Sequence, residues 1–166
     1  FIQDVLTNGD FADGQKTLLI LCEEGEVEYD QSELTNLNIL SLTVDEEKDF
    51  NGEYLRNCIR KYRPKRIFVE MNGMWDCKWM FDSALPREVE IAQVITIVDG
   101  STFQVYVNNM KGILSNLFTY TEMVIFNRCT EDMPLHSFRR AVRGVNPRAM
   151  VYFEDEEGNP VDPGME

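Results

Sequence analysis

The sequence predicts an α/β protein: a three-layer α/β/α arrangement in which helices cover both faces of a mainly parallel sheet. Three observations lead there. Short apolar runs alternate with helically spaced segments along the chain. Several runs, such as TLLIL and ITIV, lack the polar alternation of a sheet with one wet face, so they suit strands buried on both sides. And the runs end in charged or amide residues, where such folds bind their ligands.

In chain order, FIQDVLTNG reads as a helix, with Ile2, Val5 and Leu6 on one face and Asn8-Gly9 as its stop. KTLLILCEE and LNILSLTV are two strands. EYLRNCIRKYRP spaces Leu55, Cys58, Ile59 and Tyr62 for a helix that Pro64 closes. KRIFVEM is a third strand and WDCKWMFDSALP a short helix ending near Pro86. IAQVITIVD is the longest strand candidate, followed by STFQVYVNNMKGILSNLF, a helix for Ser101 or Thr102 to cap. EMVIFNR is a strand, PLHSFRRAVRGVNP a basic amphipathic helix, and RAMVYFED the last strand. One domain is expected over residues 1–155, with 156–166 a loose acidic tail or linker.

With 16 Lys and Arg against 29 Asp and Glu, the chain carries a net charge of −13 and repels phosphate backbones, so general DNA or RNA binding is not expected. A nucleotide is still permitted, because backbone N–H groups and a metal ion meet its charge locally. No apolar run approaches the roughly 20 residues of a bilayer span, and no signal segment is present. Cys22, Cys58, Cys77 and Cys129 are scattered and His136 is the one histidine, which leaves too few clustered ligands for a conventional zinc site. Free thiols fit a reducing, cytoplasmic setting. Because the chain opens inside a helix without methionine, it is expected to be a fragment of a longer protein.

The strand tips carry the chemistry. They read Cys22-Glu23-Glu24-Gly25, Glu70-Met71-Asn72-Gly73, Asp99-Gly100-Ser101 and Asn127-Arg128-Cys129. A carboxylate at a tip can hold Mg²⁺ directly or through water. A nearby glycine lets a backbone N–H approach a phosphate that a Cβ would obstruct. The plainer alternative is that acids sit where strands meet solvent, and that Asn72-Gly73 is a turn dipeptide.

These motifs resemble the CobW/HypB/UreG-type family of P-loop GTPases. CEEGEVEYD is similar to the family's NEFGEVGID, EMNG stands where it has ETTG, IVDGSTF where it has VVDA, FNRCT where it has NKxD, and VNPRA where it has LNPxA. The resemblance implies that Glu70 is the Walker-B acid near Mg²⁺, with Glu23 beside the metal. It implies that Gly73 senses the γ-phosphate with Asn72 in the same switch, and that Asn127, Arg128 and Thr130 face the base. Asp30 matches a family aspartate whose role stays open.

Three departures stand against it. The chain has no G-x-x-x-x-G-K-[ST], and Phe1 resembles the residue that follows the family's GKTT, so the phosphate loop and first strand are expected upstream. Thr130 occupies the position of the guanine-reading aspartate. A hydroxyl cannot accept that bidentate pair, at about 1.5–3 kcal/mol per charged bond, so GTP selectivity would fall tenfold or more unless Glu131 or Asp132 swings in. The family's CxCC is missing; between Cys22 and Cys77 only Cys58 remains, on the apolar face of a helix, and a soft-metal site at Cys22 and Cys77 has little support.

The implied function is a switch-type NTPase, using GTP or else ATP with Mg²⁺ and acting on a protein client or as a homodimer. A metallochaperone-like role is part of the resemblance. The alternative is a degenerate nucleotide-fold module that acts in protein interaction without hydrolysis, with Trp75 and Trp79 at its contact surface.

Overall fold

The structure, a computed structural model, describes residues 1–23, 25, 28–82, 85–109 and 111–164. Glu24, Glu26 and Val27 of CEEGEVEYD, Ser83 and Ala84, Met110, and the final Met165 and Glu166 lie outside the described residues. The chain forms two compact units, Phe1–Glu90 and Ile91–Glu166.

The first unit is built on three parallel strands, β1 (Thr17–Leu21), β2 (Ile39–Thr43) and β3 (Arg66–Glu70), in the order β2-β1-β3. Being central, β1 is buried on both faces: Leu18, Leu19 and Ile20 are fully enclosed. Each such side chain contributes about 1.5–3 kcal/mol relative to exposure. Alternation along the strands sends Leu19, Leu21 and Phe68 to one side, against Leu6 of α1 (Ile2–Asn8) and Leu34 of α2 (Gln31–Asn36). Ile20, Ile67 and Val69 point the other way, toward Leu55 of α3 (Gly52–Tyr62) and Met80 of α4 (Lys78–Phe81). Helix, sheet and helix are thus the three layers expected.

At the opposite end from the strand tips, Arg66 ties the sheet to the α1–β1 connection. Its guanidinium donates to Thr17 Oγ1 at 2.9 Å, to the Phe11 carbonyl at 2.6 Å and to the Asp13 carboxylate, and it lies 5.1 Å over the Phe11 ring. The hydrogen bond from Arg66 holds the Asp13 carboxyl below its usual range.

In the second unit β4 (Ile95–Asp99), β5 (Met123–Asn127) and β6 (Met150–Phe153) are parallel, in the order β4-β5-β6. Val124, Phe126 and Phe153 face α5 (Phe103–Asn109), α6 (Lys111–Thr119) and α7 (Leu135–Val145). The core there is aromatic: the Phe126 ring stands 4.8 Å from Phe103, 5.3 Å from Phe138 and 5.5 Å from Phe153.

Several expectations need correction. Residues 91–94 are not strand: the β4 register begins at Ile95 opposite Met123, and of the four only Val94 is seen bonding toward β5 among the described residues, its carbonyl accepting from the Glu122 N–H at 3.0 Å. The helix expected over 101–118 is described as α5 and α6, helical up to residue 109 and again from residue 111, with residue 110 outside the described residues. Helix α4 spans only four residues. Helix α2 was not foreseen. The acidic tail is not loose through its first part: Asp155 accepts from the Glu157 and Asn159 N–H groups at 2.9 and 2.8 Å, turning the chain so that Val161 N–H bonds the Phe153 carbonyl at 2.9 Å. Cys58 lies in the core, as its place on α3 predicted.

Phe126→Ala is expected to cost about 3–5 kcal/mol, read from denaturant unfolding, since the ring is fully buried among four others and the site cannot collapse around a methyl.

Candidate functional site

Two groups of polar residues stand at the carboxyl ends of the strands, one in each unit. In the first, Glu70 closes β3. Its carbonyl accepts from the Cys22 N–H at 2.9 Å, so the parallel ladder runs past the end of β1 before the chains part. Alternation places the Glu70 side chain on the α1–α2 side of the sheet, half-buried, where Oε2 accepts from the Tyr29 hydroxyl at 2.8 Å. Tyr29 packs its ring on the cluster of Leu6, Leu19 and Leu34. Burial, then the bond to Glu70, pushes the Tyr29 phenol above its ordinary pKa. Burial and then the Glu70 charge push the Cys22 thiol up to about 12.

Glu23 is exposed, two residues beyond the end of β1. Asp30, whose role the resemblance left open, is the N-cap of α2: its carboxylate accepts from Ser32 N–H at 2.9 Å and Glu33 N–H at 3.1 Å. The signal was in the sequence, since Asp30-Gln31-Ser32-Glu33 has the spacing of a capping box.

Beyond Glu70 the chain turns at Asn72, whose Oδ1 accepts from the Met74 N–H at 2.9 Å and whose carbonyl accepts from the Trp75 N–H at 3.1 Å. Gly73 is exposed, and a Cβ added there would meet nothing within 4 Å. Its φ is not in the left-handed range either, so neither conformation nor packing requires glycine at 73. Gly100 is the opposite case. A Cβ there would stand 2.7 Å from Cys129 Sγ and 2.9 Å from the Asn127 carbonyl, so packing at the β4 and β5 tips demands the bare backbone.

In the second unit Asp99 closes β4 and Asn127 closes β5, opposite each other in register. Arg128 adopts a left-handed conformation, φ 53°, and its guanidinium reaches Asp99 Oδ2 at 2.8 Å. Asp99 Oδ1 accepts from the Ser101 N–H at 2.9 Å and from its hydroxyl. Burial raises the Asp99 pKa, but the bonds from Ser101 and Arg128 outweigh it and hold the carboxyl below its ordinary value. Asn127 Oδ1 is enclosed and, among the described residues, has no hydrogen-bond partner. Thr130 donates its hydroxyl to Asp132 Oδ1, which brings a carboxylate beside the position where the sequence lacks one.

The sequence named Glu23, Glu70, Asn72 and Gly73 in the first unit, and Asn127, Arg128 and Thr130 in the second; within each unit they lie at or just beyond strand ends. It missed Tyr29 and the Arg128–Asp99 pair. Trp75 and Trp79, offered as a contact surface, instead pack on the core that holds Ile20 and Leu55, with the Trp79 ring 5.4 Å from Phe50. Met74, 69% exposed, is the member of that run that faces solvent. Among the described residues no three His, Cys, Asp or Glu side chains gather as a metal site, and no helix is long and apolar enough to cross a membrane.

No family model and no curated protein matches the sequence. A solved structure does resemble the fold: the Zn(II)-bound YjiA GTPase from E. coli, with a TM-score of 0.64 and 18% sequence identity over 97% of this chain. The match covers 54% of that protein, so this chain spans about half its length. The likeness agrees with the α/β fold of parallel strands and covering helices that the sequence predicted.

The two glycines separate cleanly in an unfolding experiment. Gly100→Ala is expected to lose about 1–3 kcal/mol by overpacking against Cys129, whereas Gly73→Ala should stay within about 0.5 kcal/mol of the parent. The Asp99 carboxyl, lowered in the folded state, contributes stability that is present above its ordinary pKa of 3.8 and is lost as pH falls below it. Comparing acid unfolding of the parent with Asp99→Asn should show a flatter pH dependence in the variant.

Proposed function

We propose that this chain belongs to a nucleotide-dependent switch of CobW-like type, binding GTP with Mg²⁺ and hydrolysing it slowly in the natural full-length polypeptide. The observation that carries the reading is at the β3 tip. A half-buried carboxylate ends a parallel strand, and three residues on stands a glycine required by neither backbone nor packing. A glycine kept for neither reason suits a backbone N–H that a phosphate approaches closely.

The residues fit Mg²⁺ rather than an all-protein metal cage. Mg²⁺ takes one or two carboxylates and completes its octahedron with phosphate oxygens and water. Glu70 offers such a carboxylate, and among the described residues nothing donates to its Oε1; Glu23, exposed past β1, is the second candidate. When bound, the ion supplies charge neutralisation for phosphoryl transfer to water. Glu70 holds or orders its ligands, and Gly73 with Asn72 responds to the terminal phosphate. The phosphate cradle has no counterpart motif in residues 1–166, so the function is tested on the natural full-length polypeptide.

For the base, the enclosed and unpartnered Asn127 Oδ1, Arg128 fixed by Asp99, and the Thr130–Asp132 pair supply the contacts. Asp132 takes over as the acceptor of the guanine edge. A protein client or a second copy is the partner of such a switch. The YjiA structure contains Zn(II), but burial raises the pKa of all four thiols of this chain, which favours the protonated form over the metal-binding thiolate. The metallochaperone role therefore gains nothing from these cysteines. The pure interaction module is less favoured because Trp75 and Trp79, partly buried, pack against the core.

Titration of the full-length polypeptide with fluorescent GTP and ATP analogues tests the reading. Mg²⁺-dependent binding that prefers GTP is expected, with Glu70→Ala weakening the Mg²⁺ dependence about tenfold or more. Asp132→Asn should cut the preference for GTP over ATP about tenfold, the loss of a charged acceptor worth about 1.5–3 kcal/mol. Failure to bind either nucleotide would sink the proposal.

A further inference from the structure

We infer that Tyr29 is a positioning residue for Glu70: it ties one carboxylate oxygen and so forces the other to meet a divalent cation singly, which selects Mg²⁺ over Ca²⁺. The inference rests on the reading of Glu70 given above and deepens it. Its ground is geometric. The Tyr29 hydroxyl donates to Glu70 Oε2 at 2.8 Å, a contact between residues 41 apart in the chain. The partly buried ring packs against the cluster of Leu6, Leu19, Leu34 and Ile39. The next residue, Asp30, is locked as the cap of α2 by two backbone N–H groups. The hydroxyl is therefore held at the carboxylate by packing on one side and by a helix cap on the other.

The consequence for ligand choice follows from coordination chemistry. Ca²⁺ commonly takes a carboxylate through both oxygens, at 6–8 ligands and longer distances. Mg²⁺ requires near-ideal octahedral geometry and takes one oxygen per carboxylate, keeping its waters. With Oε2 engaged by the Tyr29 hydroxyl, bidentate chelation is blocked. Oε1 is left for a single bond to the ion or to one of its waters. Removing the hydroxyl frees the carboxylate to swing, which costs Mg²⁺ its prepared ligand and opens the bidentate mode to Ca²⁺.

The test measures nucleotide binding by the full-length polypeptide as a function of Mg²⁺ and, separately, of Ca²⁺, for the parent, Tyr29→Phe and Glu70→Ala. Phenylalanine keeps the ring and its packing and removes only the donor. In Tyr29→Phe the Mg²⁺ half-saturation is expected to rise by about tenfold. The Ca²⁺ half-saturation should stay level or fall, and nucleotide affinity at saturating Mg²⁺ should match the parent. The ¹³C resonance of the Glu70 carboxyl should also move in that variant without any nucleotide present. If Glu70→Ala shifts the Mg²⁺ curve while Tyr29→Phe overlays the parent with both ions, the role of Tyr29 is overturned and Glu70 keeps its own. A parallel loss with Mg²⁺ and Ca²⁺ in Tyr29→Phe would show a merely structural contact and also overturns the inference. Should Glu70→Ala itself leave both curves unchanged, the reading of Glu70 falls, and the proposal for Tyr29 with it.

Discussion

A parallel strand enclosed on both faces can carry polar side chains only where it stops. Strand β1 obeys this most strictly, with Leu18, Leu19 and Ile20 fully buried between helices on either side. Isolated charge along that length would be stranded in a low-dielectric interior at a cost of several kcal/mol. The constraint therefore drives functional groups to the tips. Glu70, Asp99 and Asn127 each close a strand, while the strand positions before them fill the layers. Chemistry at the carboxyl end is thus a by-product of the burial that makes the sheet.

The same constraint explains how the tips are steadied. Each polar group that leaves the core takes a partner as it emerges. Glu70 meets Tyr29, Asp99 meets Arg128 and Ser101, and Asn72 and Asp30 fold back on nearby backbone N–H groups. Charge-assisted bonds of this kind are stronger than neutral ones and restrict rotamers. The exception is the enclosed Asn127 Oδ1, left unsatisfied among the described residues where its neighbours are not. Buried polar atoms without partners are uncommon in folded chains, and a ligand is one physical explanation for keeping one.

Much of this was legible in the sequence because burial writes itself as composition. LLIL and MVIF are apolar throughout, and each became the body of a strand. Glu70 was legible because a charge stops an apolar run abruptly. What escaped had a different physical origin. Helix α2 buries only Leu34 among six residues, so it has no apolar period to find; its cap, Asp30, was the sole cue. Strand β4 was drawn too long because Ile91 and Ala92 look strand-like, while pairing, which sets strand length, depends on where β5 begins. Tyr29 and the Arg128–Asp99 pair join residues 41 and 29 apart, and no local pattern encodes such separations. The two glycines show the same limit. Gly73 and Gly100 follow acids in similar phrases, yet only coordinates reveal that one faces open space and the other a sulfur atom.

The fold-back after β6 has a further consequence for how the molecule behaves in a crowd. An outer strand offers a row of unsatisfied backbone groups, a template on which a foreign chain can assemble into fibres. Here residues 154–161 return against β6, with Glu154 bridged antiparallel to Pro160 and the Val161 N–H spent on Phe153. Proline has no N–H to offer a newcomer at that point. The acidic residues around the turn, Asp155, Glu156 and Glu157, add like-charge repulsion between copies. The segment thus acts as a hem on the sheet, guarding this margin against the self-association that a naked strand invites.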